Sequence, residues 1–63
     1  MTSALLPGTI LKCIEKDAWN HITVGHLYIL EAYASIGHHA VVRNDDGILM
    51  VYPFVCFKVI AES

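Results

Sequence analysis

Six side chains in this 63-residue sequence belong to types that bind metals: Cys13, His21, His26, His38, His39 and Cys56. Structural zinc sites space their ligands closely, as in Cys-x-x-Cys, so that one turn offers two donors to one tetrahedral ion. No such pair is present, and the adjacent His38 and His39 project to opposite faces if the chain is extended there. The histidines therefore read as loop and surface groups. Asp45 and Asp46 are adjacent carboxylates, but they stand in a turn-forming stretch where Asp bonds to nearby backbone. Cys56 beside a histidine would make a thiolate nucleophile. No catalytic motif surrounds it, and so short a chain leaves little room for a pocket on the order of several hundred Å³. The expectation is a protein without catalytic activity, cofactor or metal.

Composition points to binding instead. The chain has room for one small domain. Hydrophobic residues make up 56% of it and charged residues 16%, with a net charge of −2; soluble domains usually hold about 45–50% apolar residues. A core this small cannot hide that much apolar surface, and an exposed patch implies a partner or a second copy of the chain. Two cysteines are too few for the disulfide framework of a small secreted domain and point to a reducing compartment. Residues 1–8 carry neither the basic nor the apolar region of a signal peptide. The apolar run over residues 48–57 is interrupted by Pro53 and falls short of the roughly 18 residues that a membrane helix needs. A cytoplasmic location away from membranes is expected.

The elements that must position any binding surface are short strands. The clearest signal is a hairpin: Ala40-Val41-Val42-Arg43, then Asn44-Asp45-Asp46-Gly47, then an arm over residues 48–52 that Pro53 ends. A first strand is predicted over residues 9–15, after a leader closed by the Pro7-Gly8 turn. Lys12 sets its phase, with Leu11 and Cys13 inward and Ile10 and Ile14 outward. Residues 16–25 read as a long excursion. Residues 26–34 read as a second strand, with Tyr28, Leu30 and Ala32 inward around an outward Glu31; their Leu, Glu and Ala content makes a helix the rival reading. A short turn, or one turn of 3₁₀ helix, is predicted at Tyr52-Pro53-Phe54. The last strand, over residues 55–61, takes its phase from Lys58: Val55, Phe57 and Val59 inward, Cys56 and Ile60 outward.

Five strands with a long first loop, a short second one, a tight hairpin and a proline-marked turn give the loop order of a small all-β, five-stranded SH3-like barrel spanning residues 9–61. The sequence also resembles the short SH3-like accessory proteins of tailed bacteriophages. The resemblance rests on Cys13-Ile14, the Gly25-x-x-Tyr28 step, the Asn44-Asp45-Asp46-Gly47 hairpin and Phe57, and covers roughly residues 9–60. It implies a non-catalytic, phage-encoded protein in the host cytoplasm, from a group some of whose members bind and block host proteins. It assigns no functional residues.

The binding candidates follow from the phasing. Leu27, Ile29, Val41 and Ile60 are apolar and turned outward, with Tyr33 a further candidate. Trp19 and His21 lie in the excursion, where Trp19 either caps the core or meets a partner. Asp45 and Asp46 supply an acidic rim suited to a basic partner. The leading expectation is a module that binds and inhibits a host protein and forms a homo-oligomer. The alternatives are a nucleic-acid-binding barrel, using Lys12, Lys16 and Lys58, and a purely structural homo-oligomer. The excess of acids over Lys and Arg, six to four, argues against the nucleic-acid reading.

Overall fold

The computed structural model describes residues 4–16, 21–32, 34–35 and 39–63. The chain is all-β, with no α-helix among the described residues. Among the described residues seven short strands follow one another: β1 (Ala4–Leu5), β2 (Ile10–Cys13), β3 (Leu27–Ile29), β4 (Ala34–Ser35), β5 (His39–Arg43), β6 (Leu49–Pro53) and β7 (Phe57–Ala61). A 3₁₀ turn, Phe54–Cys56, separates the last two.

All pairings are antiparallel. β2 lies between β3 and β7, β5 pairs with β6, and β1 pairs with β4. A single bridge, Leu30 to Val42, joins the end of β3 to β5, so the main strands run in the spatial order β6, β5, β3, β2, β7. Residues 26–34 hold no helix where they are described; the single strand expected there is β3, Leu27–Ile29, followed by the Leu30 bridge, with Ala34 opening β4. The segment expected to be a leader contributes β1, and Leu5 belongs to the core.

Two turns set this register. At Leu6-Pro7-Gly8-Thr9 the Thr9 N–H donates to the Leu6 carbonyl at 3.2 Å. Proline suits the second position and Gly8 takes the positive φ of 99° that a type II turn requires at the third. In the hairpin, Gly47 N–H donates to Asn44 O and Asn44 N–H to Ile48 O, both at 2.9 Å. Gly47 sits at φ 78°. This is the three-residue loop built on a type I turn followed by a left-handed glycine.

The two-residue period divides the side chains of β2, β3 and β5 between core and solvent, whereas β6 exposes three in a row. Leu11 and Cys13 of β2, Tyr28 of β3, Ala40 and Val42 of β5, Tyr52 of β6 and Phe57 of β7 are buried, joined by Leu5, Ile22, Leu30, Phe54 and Cys56. Phe57 stands between two tyrosine rings, edge-on to Tyr28 at 6.0 Å and to Tyr52 at 6.3 Å. Offset and edge-to-face contacts of this kind suit the ring quadrupoles.

The phase extrapolated back from Lys58 fails at residues 55 and 56. Val55 is 64% exposed and Cys56 only 1%, the reverse of the expectation. Both lie in the 3₁₀ turn, where three residues make a turn and the two-residue alternation stops. That turn also begins two residues later than predicted, because Pro53 still belongs to β6. Val59 is half-buried against the core, and Ala32 is half-buried rather than inward.

Candidate binding surfaces

The sequence candidates separate into three places. Leu27, Ile29 and Ile60 come together on the outer face of the β3-β2-β7 sheet, at 60%, 52% and 49% exposure. Ile10 pairs with Ile29 on one side and Ala61 on the other, and Lys12 pairs with Leu27 and Lys58. The face is therefore an apolar row beside a row in which two lysines stand opposite each other. Like charges directly opposed on adjacent strands repel, and no carboxylate pairs with either lysine among the described residues. The face thus presents exposed apolar side chains and two adjacent cations together. Lys16, the third lysine expected beside them, follows β2 and is half-buried.

His21, Asp45 and Asp46 form the second group, at the hairpin tip. Asp45 was expected to bond the local backbone, and it reaches further. Its Oδ1 accepts the Tyr28 hydroxyl proton at 2.6 Å and its Oδ2 that of Thr23 at 2.7 Å. Asp45 N–H donates to the His21 carbonyl at 2.8 Å, and His21 Nδ1 lies 2.6 Å from Asp46 Oδ2. The local role belongs to Asn44. Its Oδ1 accepts the N–H groups of Asp46 (2.9 Å) and Ile48 (3.1 Å), while its Nδ2 donates to the Tyr52 hydroxyl at 3.2 Å. The tip is thus tied to the chain over residues 21–28, and its carboxylates already have partners. Both carboxylates nonetheless remain exposed at the tip.

These bonds set the ionisation of the pair. The Tyr28 hydroxyl, with that of Thr23, holds the Asp45 carboxyl below the usual aspartate range. Burial, reinforced by the bond to Asp45, pushes the Tyr28 hydroxyl up. Cys13 is likewise pushed up, chiefly by burial.

Val41 occupies the third place. It is half-buried in β5, opposite Val51 of β6. Beside it runs an apolar surface that the phasing missed: Ile48, Leu49, Met50 and Val51 are 41–56% exposed. The absence of any charge over residues 48–57 was the available signal. Trp19, Tyr33 and His38 lie outside the described residues.

Among the described residues, no three His, Cys, Asp or Glu side chains gather where they could hold a metal ion. Cys13 and Cys56 are both buried and form no disulfide with each other, so Cys56 is not the outward thiol expected. No helix among those residues is long and apolar enough to cross a membrane. Compared with protein-family models, curated proteins and solved structures, the chain matches none of them.

Proposed function

We propose that the chain is a small SH3-like barrel that acts as a non-catalytic protein-binding module, and that it is a phage-encoded protein that engages and inhibits a host protein in the host cytoplasm. The strand order β6, β5, β3, β2, β7 and the 3₁₀ turn before the last strand support the barrel. The observation that carries the binding role is the outer face of β3-β2-β7, where Leu27, Ile29 and Ile60 are exposed around the opposed Lys12 and Lys58. Its complement is an apolar surface that carries a carboxylate. Burial of the apolar groups supplies affinity, and the two lysines fix orientation.

The test is capture from bacterial lysate with the tagged protein, compared with Leu27→Asp and Ile60→Asp variants of unchanged thermal stability. A protein retained by the wild type and lost from both variants supports the reading. Equal capture by all three defeats it. The Lys12–Lys58 pair also gives nucleic acid a place to bind, and this second reading has its own signature. Binding of a generic oligonucleotide would weaken steeply with salt, because neutralised phosphates release counterions.

A further inference from the structure

Strand β6 ends the spatial order of strands, and two hydrogen bonds show which way its backbone faces. Asn44 donates to Ile48 O at 2.9 Å, so that opposed pair is a bonded one. The Val41 carbonyl accepts the Glu31 N–H at 2.8 Å, so Val41 turns its backbone away from β6. Bonded and non-bonded pairs alternate along an antiparallel ladder. Val42–Met50 and Ala40–Tyr52 are then bonded pairs, and Arg43–Leu49, Val41–Val51 and His39–Pro53 are not. Leu49 and Val51 therefore aim N–H and C=O outward, where no described strand pairs with them. Pro53 fits the same alternation, since at an outward position its missing N–H costs the hairpin nothing.

The side chains along this edge are apolar on both faces. Leu49, Met50 and Val51 are 48%, 41% and 56% exposed, with Ile48 before them and Val55 after them at 56% and 64%. Proteins usually guard such an edge with a charge, a bulge or a mid-strand proline. β6 has only Pro53, at its far end.

We propose that β6 is a homodimerisation edge, to which the β6 of a second copy adds in antiparallel fashion across a two-fold axis at Met50. Leu49 of each copy then exchanges both backbone hydrogen bonds with Val51 of the other, and Met50 faces its own equivalent. The occupant follows from charge. A two-fold axis at the middle of a strand lays that strand against itself, so a charge close to the axis faces its own counterpart. β7, at the other end of the strand order, carries Lys58 in its second position, whereas β6 carries no charge at all. The same register sends the acidic tips at Asp45 and Asp46 to opposite ends of the joined strands, roughly 25 Å apart at about 3.3 Å per residue. That is several times the Debye length of about 8 Å at physiological salt. The contact is small, in the class below about 1,200 Å², so the dimer is a weak and concentration-dependent one. It uses a different surface from the Leu27–Ile29–Ile60 face.

The experiment is sedimentation equilibrium with amide hydrogen exchange on the full chain, at about 20 μM and about 1 mM, a span suited to a weak interface. The wild type should move toward dimer mass. The Leu49 and Val51 amides should gain protection with concentration, while the Met50 amide stays protected at both. Val51→Lys and Leu49→Lys should each weaken dimerisation at least about tenfold with the Met50 amide still protected. If one variant fails to fold, the other and the wild-type amides decide the matter. A wild type that is monomeric at both concentrations overturns the proposal. So does a dimer that survives Val51→Lys with the Leu49 and Val51 amides unprotected, which would move self-association to another face. Neither result touches the protein-binding reading, which stands or falls with Leu27→Asp and Ile60→Asp.

Discussion

Tyr28 donates its hydroxyl proton to Asp45 across 2.6 Å, and through that bond a core side chain of β3 holds the tip of the β5-β6 hairpin. The same hydroxyl accepts the Thr23 N–H at 2.7 Å, so one oxygen organises the chain on both sides of it. Tyr28→Phe keeps the ring against Phe57 and removes only the hydroxyl. The expected cost is about 1 kcal/mol, read as a lower midpoint in urea unfolding with an unchanged slope. Combined with Asp45→Ala, the two losses should be less than additive, because each variant breaks the same bond.

The pair also sets how stability depends on pH, and its two members act at opposite ends of the scale. Asp45 has a lowered folded value, first through the Tyr28 hydroxyl and then through Thr23. Its contribution is present above the ordinary aspartate value of about 3.9 and disappears as pH falls through the lower folded one. Tyr28 has a raised value, first through burial and then through Asp45. Its contribution is complete below about 10 and disappears as pH rises through the folded value. Melting temperatures measured across the scale should therefore fall at both ends. Asp45→Asn should flatten the acid limb and Tyr28→Phe the alkaline one. An acid limb unchanged in Asp45→Asn would assign acid unfolding to other carboxylates.

What could be read in the sequence was the chemistry that acts over a few residues. Asn44 to Gly47 announced a hairpin because the turn is closed by groups within it. Lys12 fixed the phase of β2 because a two-residue period leaves a charged side chain only one face to point to. The partners of Asp45, Tyr28 and Thr23, lie 17 and 22 residues away, and no local pattern carries that information. Cys56 was misplaced because strand phase does not pass through a 3₁₀ turn. The pairing of β1 with β4 was hidden for another reason: two-residue strands are shorter than any periodicity can reveal.

Asn44 should be the most sensitive polar position in the hairpin. It is 7% exposed, and its amide accepts two backbone N–H groups and donates to Tyr52. Asn44→Ala removes that acceptor from two part-buried N–H groups and the buried donor from Tyr52, at a cost of about 2 kcal/mol. In a domain of this size that is a large share of the total stability. Asn44→Asp keeps the acceptor oxygens, loses the donor to Tyr52 and adds a third negative charge beside Asp45 and Asp46. It should fall between the alanine variant and the wild type in thermal unfolding.

The two cysteines give a direct test of the core, because both belong to it and neither is bonded to the other. Cys13 is fully buried and Cys56 is 1% exposed. Burial also pushes the Cys13 thiol up, which lowers its thiolate fraction at neutral pH. In the native protein each should react with a thiol-specific reagent only when the structure opens. For a stability of about 5 kcal/mol, that slows the reaction by nearly four orders of magnitude, about 5,000-fold, relative to the protein in denaturant. Cys13 sits in β2, the middle strand of its sheet, and Cys56 in the 3₁₀ turn, with the Cys56 carbonyl accepting the Ile14 N–H at 2.7 Å. That bond couples the turn to the end of β2, so the two thiols should be released together, at one rate set by global unfolding. A Cys56 that reacts much faster than Cys13 would mean that the 3₁₀ turn opens alone, exposing Phe54 and Cys56 while the β2-β7 pairing holds.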